Sequence, residues 1–199
     1  MNATSHTRPR IRVSRDRVVG LVVALACLTF SVVGLRVNEP RRFEYVTGTR
    51  NQPVWLEQAQ LTIGDVEVGT RLRRFSRVTA ETSGMFVLVK ASLAVPGRQA
   101  VRLDNTQLVT RTRTYDNWSG DALAAEPGFR QREVLVFEVD PSQIDDLTLE
   151  IWHEGIVNGY HQRARIHLGI TAANSEQWRR AGQGRDLEIT SSPAAEALR

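Results

Sequence analysis

The chain has 199 residues, 24% of them charged and 41% hydrophobic, with 14 Gly, 7 Pro and one cysteine. That composition excludes collagen-like, low-complexity and disulfide-framework proteins and leaves room for one domain held by an apolar core. The net charge of +4 is uneven: residues 1–37 carry six arginines and one acid, residues 38–199 twenty basic and twenty-one acidic groups, so the basic excess gives no ground for nucleic-acid binding. Arginine outnumbers lysine 25 to 1, which reads as GC-rich coding bias before it reads as selection for guanidinium chemistry.

In chain order, the first feature is an uncharged run over residues 18–35, VVGLVVALACLTFSVVGL. At ~1.5 Å per residue such a run crosses most of a ~30 Å hydrocarbon layer, and residues 18–37 are expected to form a transmembrane signal anchor. It has no polar face at helical period, as a buried helix of a soluble protein would. Arg8, Arg10, Arg12, Arg15 and Arg17 precede it against Asp16 alone. This asymmetry keeps residues 1–17 in the cytoplasm and places the rest outside the plasma membrane. Two other anchors share that topology. Ala24 and Ala26 have the spacing of a signal-peptidase site, and Cys27 after Leu25-Ala26 partly fits a lipidation site. The apolar residues Leu28, Phe30, Val32 and Val33 that follow favour retention.

Residues 38–57, with Pro40, Gly48 and Pro53 and no sustained period, read as a juxtamembrane linker. From residue 59 the period becomes two. Ala59, Leu61 and Ile63 form one half-buried strand and, after a turn at Gly64-Asp65, Val66, Val68 and Leu72 another. Residues 85–95 are apolar at every odd position and turn polar at even positions after Leu88, as in a strand buried on both faces at first and then on one. Pro96-Gly97 closes it. Further strands are expected at 101–103, at 108–115 with Arg111 and Arg113 on the face of Val109 and Tyr115, and at 133–139, 146–152 and 163–170. A short helix from Ser175 to Ala181 would be capped by Asn174, with Gln177 in capping-box position, and stopped by Gly182. Residues 183–199 read as a flexible tail whose last ten residues are disordered.

Seven or eight short strands without a long helix imply antiparallel pairing and two sheets that bury their apolar faces on each other. About 25 apolar side chains at ~1.5–3 kcal/mol each give a gross gain of tens of kcal/mol, enough to offset chain entropy without a disulfide. The extracytoplasmic domain is thus expected over residues 58–182.

The segments GMFVLVKASLAV (84–95), RTYD (113–116), EPGFRQREVLVFEVDPSQIDDLTLEI (126–151) and ARIHLGI (164–170) together form a pattern. Over residues 59–170 it resembles the bacterial family known as domain of unknown function 4352. The resemblance implies an immunoglobulin-like antiparallel β-sandwich held outside the membrane, and it brings no catalytic residues. Pro96-Gly97 departs from the Asn-rich turn of commoner members, which alters one turn only. Independently of the family, Pro127-Gly128-Phe129 reads as a turn whose Phe129 enters the core, ahead of a strand that places Phe137 between the sheets.

Candidate chemistry is sparse. His153, His161 and His167 with Glu150 or Glu154 are metal-ligating residue types, but their spacings match no compact ligand motif. Asp140, Asp145 and Asp146 lack the alternation of a calcium loop and read as turn residues or caps. Ser119-Gly120 lies outside any nucleophile elbow, Cys27 falls in the membrane run, and no phosphate-cradling glycine loop occurs. Arg71, Arg73, Arg74 and Arg77, with Arg111 and Arg113, could face anionic headgroups or polymers, or simply blunt exposed strands. Trp118 and Phe129 bracket the longest loop, residues 116–131, and make it the candidate interaction loop, with folding of Trp118 back onto the core as the other outcome.

The expectation is a single-pass, extracytoplasmic, non-enzymatic binding or assembly module that engages another envelope protein, without catalytic residues, cofactor or metal. The alternative is a metal-binding envelope protein using the loop histidines. Nothing in the sequence fixes the oligomeric state.

Overall fold

The structure, a computed structural model, describes residues 44–56, 58–120, 122–153, 162–189 and 194–198. These belong to one compact unit spanning residues 42–199. The arginines at 8, 10, 12, 15 and 17, the run 18–37 and His161 lie outside the described residues. Among the described residues no helix is long and apolar enough to cross a membrane.

The unit is almost all β. Its strands are β1 (Glu44–Thr49), β2 (Pro53–Leu56), β3 (Ala59–Arg74), β4 (Arg77–Ala94), β5 (Val101–Leu103), β6 (Asn105–Val109), β7 (Thr114–Asp116), β8 (Leu123–Ala125), β9 (Phe129–Val139), β10 (Thr148–Trp152), β11 (Gln162–His167), β12 (Asp186–Glu188) and β13 (Ala194–Ala197). Among the described residues one helix, α1 (Ser175–Gly182), precedes β12, and one 3-10 turn, Pro141–Gln143, follows β9. The first sheet runs β1-β11-β10-β6-β7 and the second β12-β3-β4-β9-β13, with β2 also on β3 and a separate β5-β8 pair.

The two sheets share one core, as in a β-sandwich. Leu61, Ile63, Val68, Val87, Val89, Leu93, Leu135 and Phe137 of the second sheet pack with Leu108, Leu149, Ile151, Ala164 and Ile166 of the first. These are the odd-numbered or alternating positions that period two assigns to a dry face. Trp178 of α1 joins the same core. At the end of the first sheet the Leu168 N–H donates to the Leu147 carbonyl and the Leu147 N–H to the Ile170 carbonyl, each at 3.1 Å, closing the core there.

The second sheet is wet on neither face where β4 is most apolar. Phe86, Leu88 and Val136, on the opposite parity to the core residues, form a second cluster with Leu72 and Leu187. The cover comes from the C-terminal segment: β12 pairs in parallel with β3, Leu187 opposite Leu72. Gly69 admits this crossing. A Cβ there would lie 2.7 Å from both the Arg185 carbonyl oxygen and Leu187 Cγ, closer than packed atoms approach.

Several expectations are corrected. Residues 44–56, read as part of the linker 38–57, are strands: β1 pairs with β11 and β2 with β3. The tail 183–199 contains β12 and β13, the latter antiparallel to β9, so the domain extends beyond 58–182 at both ends. Both short segments lack an apolar period long enough to stand out alone; their partners supply the stabilisation. Pairing is not wholly antiparallel, since β1-β11 and β12-β3 are parallel. The crossover argument applies to neighbours in sequence, whereas these pairs join strands from distant parts of the chain.

Gly64-Asp65 is not a turn but part of a register shift between Ile63 and Val66 within one continuous strand, a bulge that bends β3 without ending it. The strand expected at 85–95 starts earlier, at Arg77. The single strand expected at 108–115 is a hairpin, β6-β7, with Arg111 and Arg113 in its turn. Thirteen strands are described rather than seven or eight, because edge pieces of three or four residues are too short to show a period. Asn174 precedes α1 but does not cap it; its side chain accepts from the Thr171 N–H at 2.8 Å and donates to the Gly169 carbonyl at 2.9 Å. Gly182 is the last residue of the helix rather than the one after it, and a Cβ there would sit 3.0 Å from Val68 Cγ2, so it also serves close packing.

Candidate interaction surface

The outer face of the first sheet carries an ordered array of aromatic and charged side chains. Register puts Tyr45, Arg163 and Trp152 side by side across β1, β11 and β10, and Thr47, Arg165, Glu150 and Gln107 in the next row. Glu150 is only 4% exposed although it faces outward. It accepts from Arg163 Nη1 at 2.9 Å, from Arg165 Nε at 2.9 Å and from Arg165 Nη2 at 2.5 Å. The Arg163 guanidinium lies 3.8 Å from the Trp152 ring centroid and that of Arg165 4.0 Å from the Tyr45 centroid.

One carboxylate thus fixes two guanidiniums, and each guanidinium fixes an aromatic ring. The charge-assisted bonds and stacking hold long side chains in one geometry. Tyr45 remains 43% exposed and Trp152 half-buried. Two arginines and two aromatic rings thus stand together on one face, and these residue types are those that dominate binding interfaces.

The candidate loop residues lie apart from it and from each other. Trp118 is 53% exposed and packs edge-on against Phe86 with centroids 6.4 Å apart. It therefore rests on the outer cluster of the second sheet, not on the main core. Its N–H donates to the Val136 carbonyl at 2.7 Å, and Asn117 Oδ1 accepts from the Val136 N–H at 3.2 Å, so this segment covers the edge of β9. Phe129, expected in the core, is 43% exposed at the start of β9. It stands eight residues from Phe137, the partner of Asn117, about 26 Å along the strand at ~3.3 Å per residue. The segment between them is no free loop: β8 pairs with β5 and buries Leu123.

His153 and His167 also stay apart. Trp152 pairs with Arg163 and Thr148 with His167, so the two imidazoles belong to opposite ends of the β10-β11 pair, about 17 Å apart at ~3.3 Å per residue. His153 Nδ1 lies 3.0 Å from Asp104 Oδ2, and His167 Nδ1 lies 3.4 Å from the Thr148 hydroxyl. Among the described residues no group of three or more His, Cys, Asp or Glu is placed to hold a metal ion. Ser119 has its hydroxyl 3.0 Å from Asn117 Oδ1, within the loop that covers β9.

The aspartates act in turns. Asp140 Oδ1 accepts from the Ser142 hydroxyl at 2.7 Å and the Ser142 N–H at 2.9 Å, opening the 3-10 turn. Asp146 Oδ2 holds Arg111 at 2.9 Å. The Ser142 hydroxyl and then the Ser142 N–H hold the Asp140 carboxyl below its usual 3.8, with Arg113 adding to the effect. A lowered carboxyl favours the fold above its unfolded value, and that contribution disappears as pH falls through the folded value. Asp140→Asn is therefore expected to flatten the drop in urea midpoint on acidification below about pH 4, measured against wild type; an unchanged acid slope would show that Asp140 contributes nothing to it.

The arginine cluster divides. Arg71 and Arg73 share Asp186, at 2.6 and 2.9 Å, whereas Arg111 and Arg113 sit in the β6-β7 turn beside Asp146 and Asp140. Lys90, the sole lysine, reaches Glu67 at 3.2 Å and Asp65 at 3.6 Å across the β3 bulge, and Glu67 raises its ammonium above the ordinary value.

No family model matches the chain, and no curated protein matches it. Solved structures similar to it include the yjhA protein from Bacillus subtilis, at 8% identity over 60% of this chain and 99% of that one, TM-score 0.46. An uncharacterized β-sandwich protein from Clostridium difficile 630 matches at 8% identity over 64% and 96%, TM-score 0.41. A functionally unknown protein from Listeria monocytogenes EGD-e matches at 12% identity over 62% and 84%, TM-score 0.44.

The array on the first sheet was invisible as a unit in the sequence. Tyr45 stood in an apparent linker, and Arg163 and Arg165 read as a wet face. The usable signal was the pairing of Glu150 on one strand's polar side with two arginines on the next, since opposite charges directly across a sheet mark adjacent strands.

Proposed function

We propose that residues 44–198 form an immunoglobulin-like, non-enzymatic binding module that engages another protein of the bacterial cell envelope. Residues 18–37 hold it as a single-pass anchor, with the N-terminus in the cytoplasm and the module outside. The observation that carries this reading is the preorganised outer face of the first sheet. Tyr45, Trp152, Arg163 and Arg165 are already locked around Glu150, so a partner docking there would lose little side-chain entropy. The uncharged run 18–35 with its five preceding arginines supports the location. The resemblance of residues 59–170 to the domain of unknown function 4352 family supports the immunoglobulin-like topology.

Purification of the full-length protein in mild detergent tests it. A partner is expected to co-purify with wild type in a fixed ratio and to be reduced at least about tenfold with Tyr45→Ala/Trp152→Ala, the loss of one or more interface hot spots. Wild type emerging alone, or the double variant retaining its partner, would refute the assignment of this face.

A further inference from the structure

The β3-β4 hairpin runs on beyond the two-sheet core as a finger. Its turn is Phe75-Ser76, with φ of 52° and 62°. Two successive positive values are the backbone of a tight hairpin turn normally built from Asn-Gly, and neither Phe nor Ser is suited to it. The sequence nonetheless puts at the tip a phenylalanine that is 75% exposed, with Val78 also exposed behind it. Arg74 lies 5.6 Å from the Phe75 ring, and among the described residues neither Arg74 nor Arg77 has an ion-pair partner.

The finger is stiff below its tip. Arg71 and Arg73 are clamped by Asp186 of β12, Arg71 donates to the Gly184 carbonyl at 2.9 Å, and Arg73 donates to the Ser76 carbonyl at 2.8 Å. A strained turn, an exposed ring and two uncompensated guanidiniums therefore coincide on a braced support. Gln162, the neighbour of Glu44, borders a cavity with Leu56, Gln58 and Gln99, at the end of the sandwich where β3 begins and β4 finishes. Phe75 and Glu44 thus lie at opposite ends of the domain, which favours a protein ligand over the bilayer of the proposed anchor.

We propose that this finger is a second contact, in which Phe75 inserts into an apolar pocket of a partner protein whose rim carries carboxylates for Arg74 and Arg77. It rests on the binding-module reading and names the chemistry of a partner. Aromatic and arginine side chains at a projecting tip are the residue types that anchor interfaces, and the basic pair selects an acidic rim.

The test is photo-crosslinking of the full chain in living cells, with p-benzoylphenylalanine replacing Phe75 or, separately, Tyr45. A discrete protein adduct is expected from position 75, its crosslinked peptide bearing Asp or Glu beside the site of attachment. Its yield should fall at least about tenfold with Arg74→Glu/Arg77→Glu. Arg74→Gln/Arg77→Gln, a milder pair on exposed side chains, should give a smaller fall and serves if the reversal impairs folding. An adduct that extracts with lipid, or a protein adduct indifferent to both arginine pairs, overturns the finger proposal. Adducts at 45 and none at 75 overturn it while leaving the module reading intact; none at either position overturns both.

Discussion

Glu150→Ala is expected to lower the unfolding free energy by about 2–4 kcal/mol, because it removes the acceptor shared by two guanidiniums that are already partly desolvated. Arg163 is largely shielded by Trp152, and Arg165, more exposed, by Tyr45. Without the carboxylate the two positive groups oppose each other two residues apart on one strand face. For a domain of this size the midpoint of thermal unfolding should drop by roughly 5–15 °C. High salt should recover part of the loss by screening the repulsion. Converting Glu150, Arg163 and Arg165 together to Met should be far less damaging than Glu150→Ala alone, since the penalty lies in uncompensated charge rather than in missing packing. A loss under about 1 kcal/mol for Glu150→Ala would mean the pair behaves as an ordinary surface contact, and the preorganised face would lose its basis.

Leu187→Ala should cost about 2–5 kcal/mol, the range for truncating a fully buried leucine. Leu187 is 0% exposed and sits in a segment of only three paired residues. Its methyl groups close the cluster of Leu72, Phe86, Leu88 and Val136. The expected sign of failure is local: amide exchange in 71–73 should accelerate before the central strands change, because β12 is held by few bonds. A variant with unchanged urea midpoint would show that the second sheet does not need this cover.

The two-sheet architecture is legible where strands alternate: Leu147, Leu149 and Ile151, or Ala164, Ile166 and Leu168, separated by polar residues, leave little choice of face. The double-sided burial at residues 85–89 was legible too, since Phe86 and Leu88 break the alternation in the apolar direction. What period two could not show was where the covering came from. Asp186–Glu188 is too short to carry a pattern, and Glu44–Thr49 mixes one tyrosine, one valine and one glycine among polar residues. Such pieces become strands through partners 115 or more residues away, as Asp186 with Arg71 and Glu44 with Gln162. Phe129 differs for a related reason: in the sequence the Pro127-Gly128-Phe129 turn points it toward the core, but it starts β9 where the strand pairs with β13 at an exposed edge. Of the candidate site, Trp118 was named for its size and found as a lid over Phe86, whereas the charge lattice around Glu150 depended on knowing which strands lie side by side.

The parallel match of β1 with β11 has a kinetic side. Val46 cannot meet Ala164 until the 117 residues between them are available, and β3 waits longer still for Asp186. Long-range closures of this kind slow the search for the native state. A ribosome or secretion channel releasing the chain from its amino end would therefore deliver β1 well before its mate, leaving Tyr45 and Val46 without a ladder during emergence and making the docking of Asp186–Glu188 on β3 a late step.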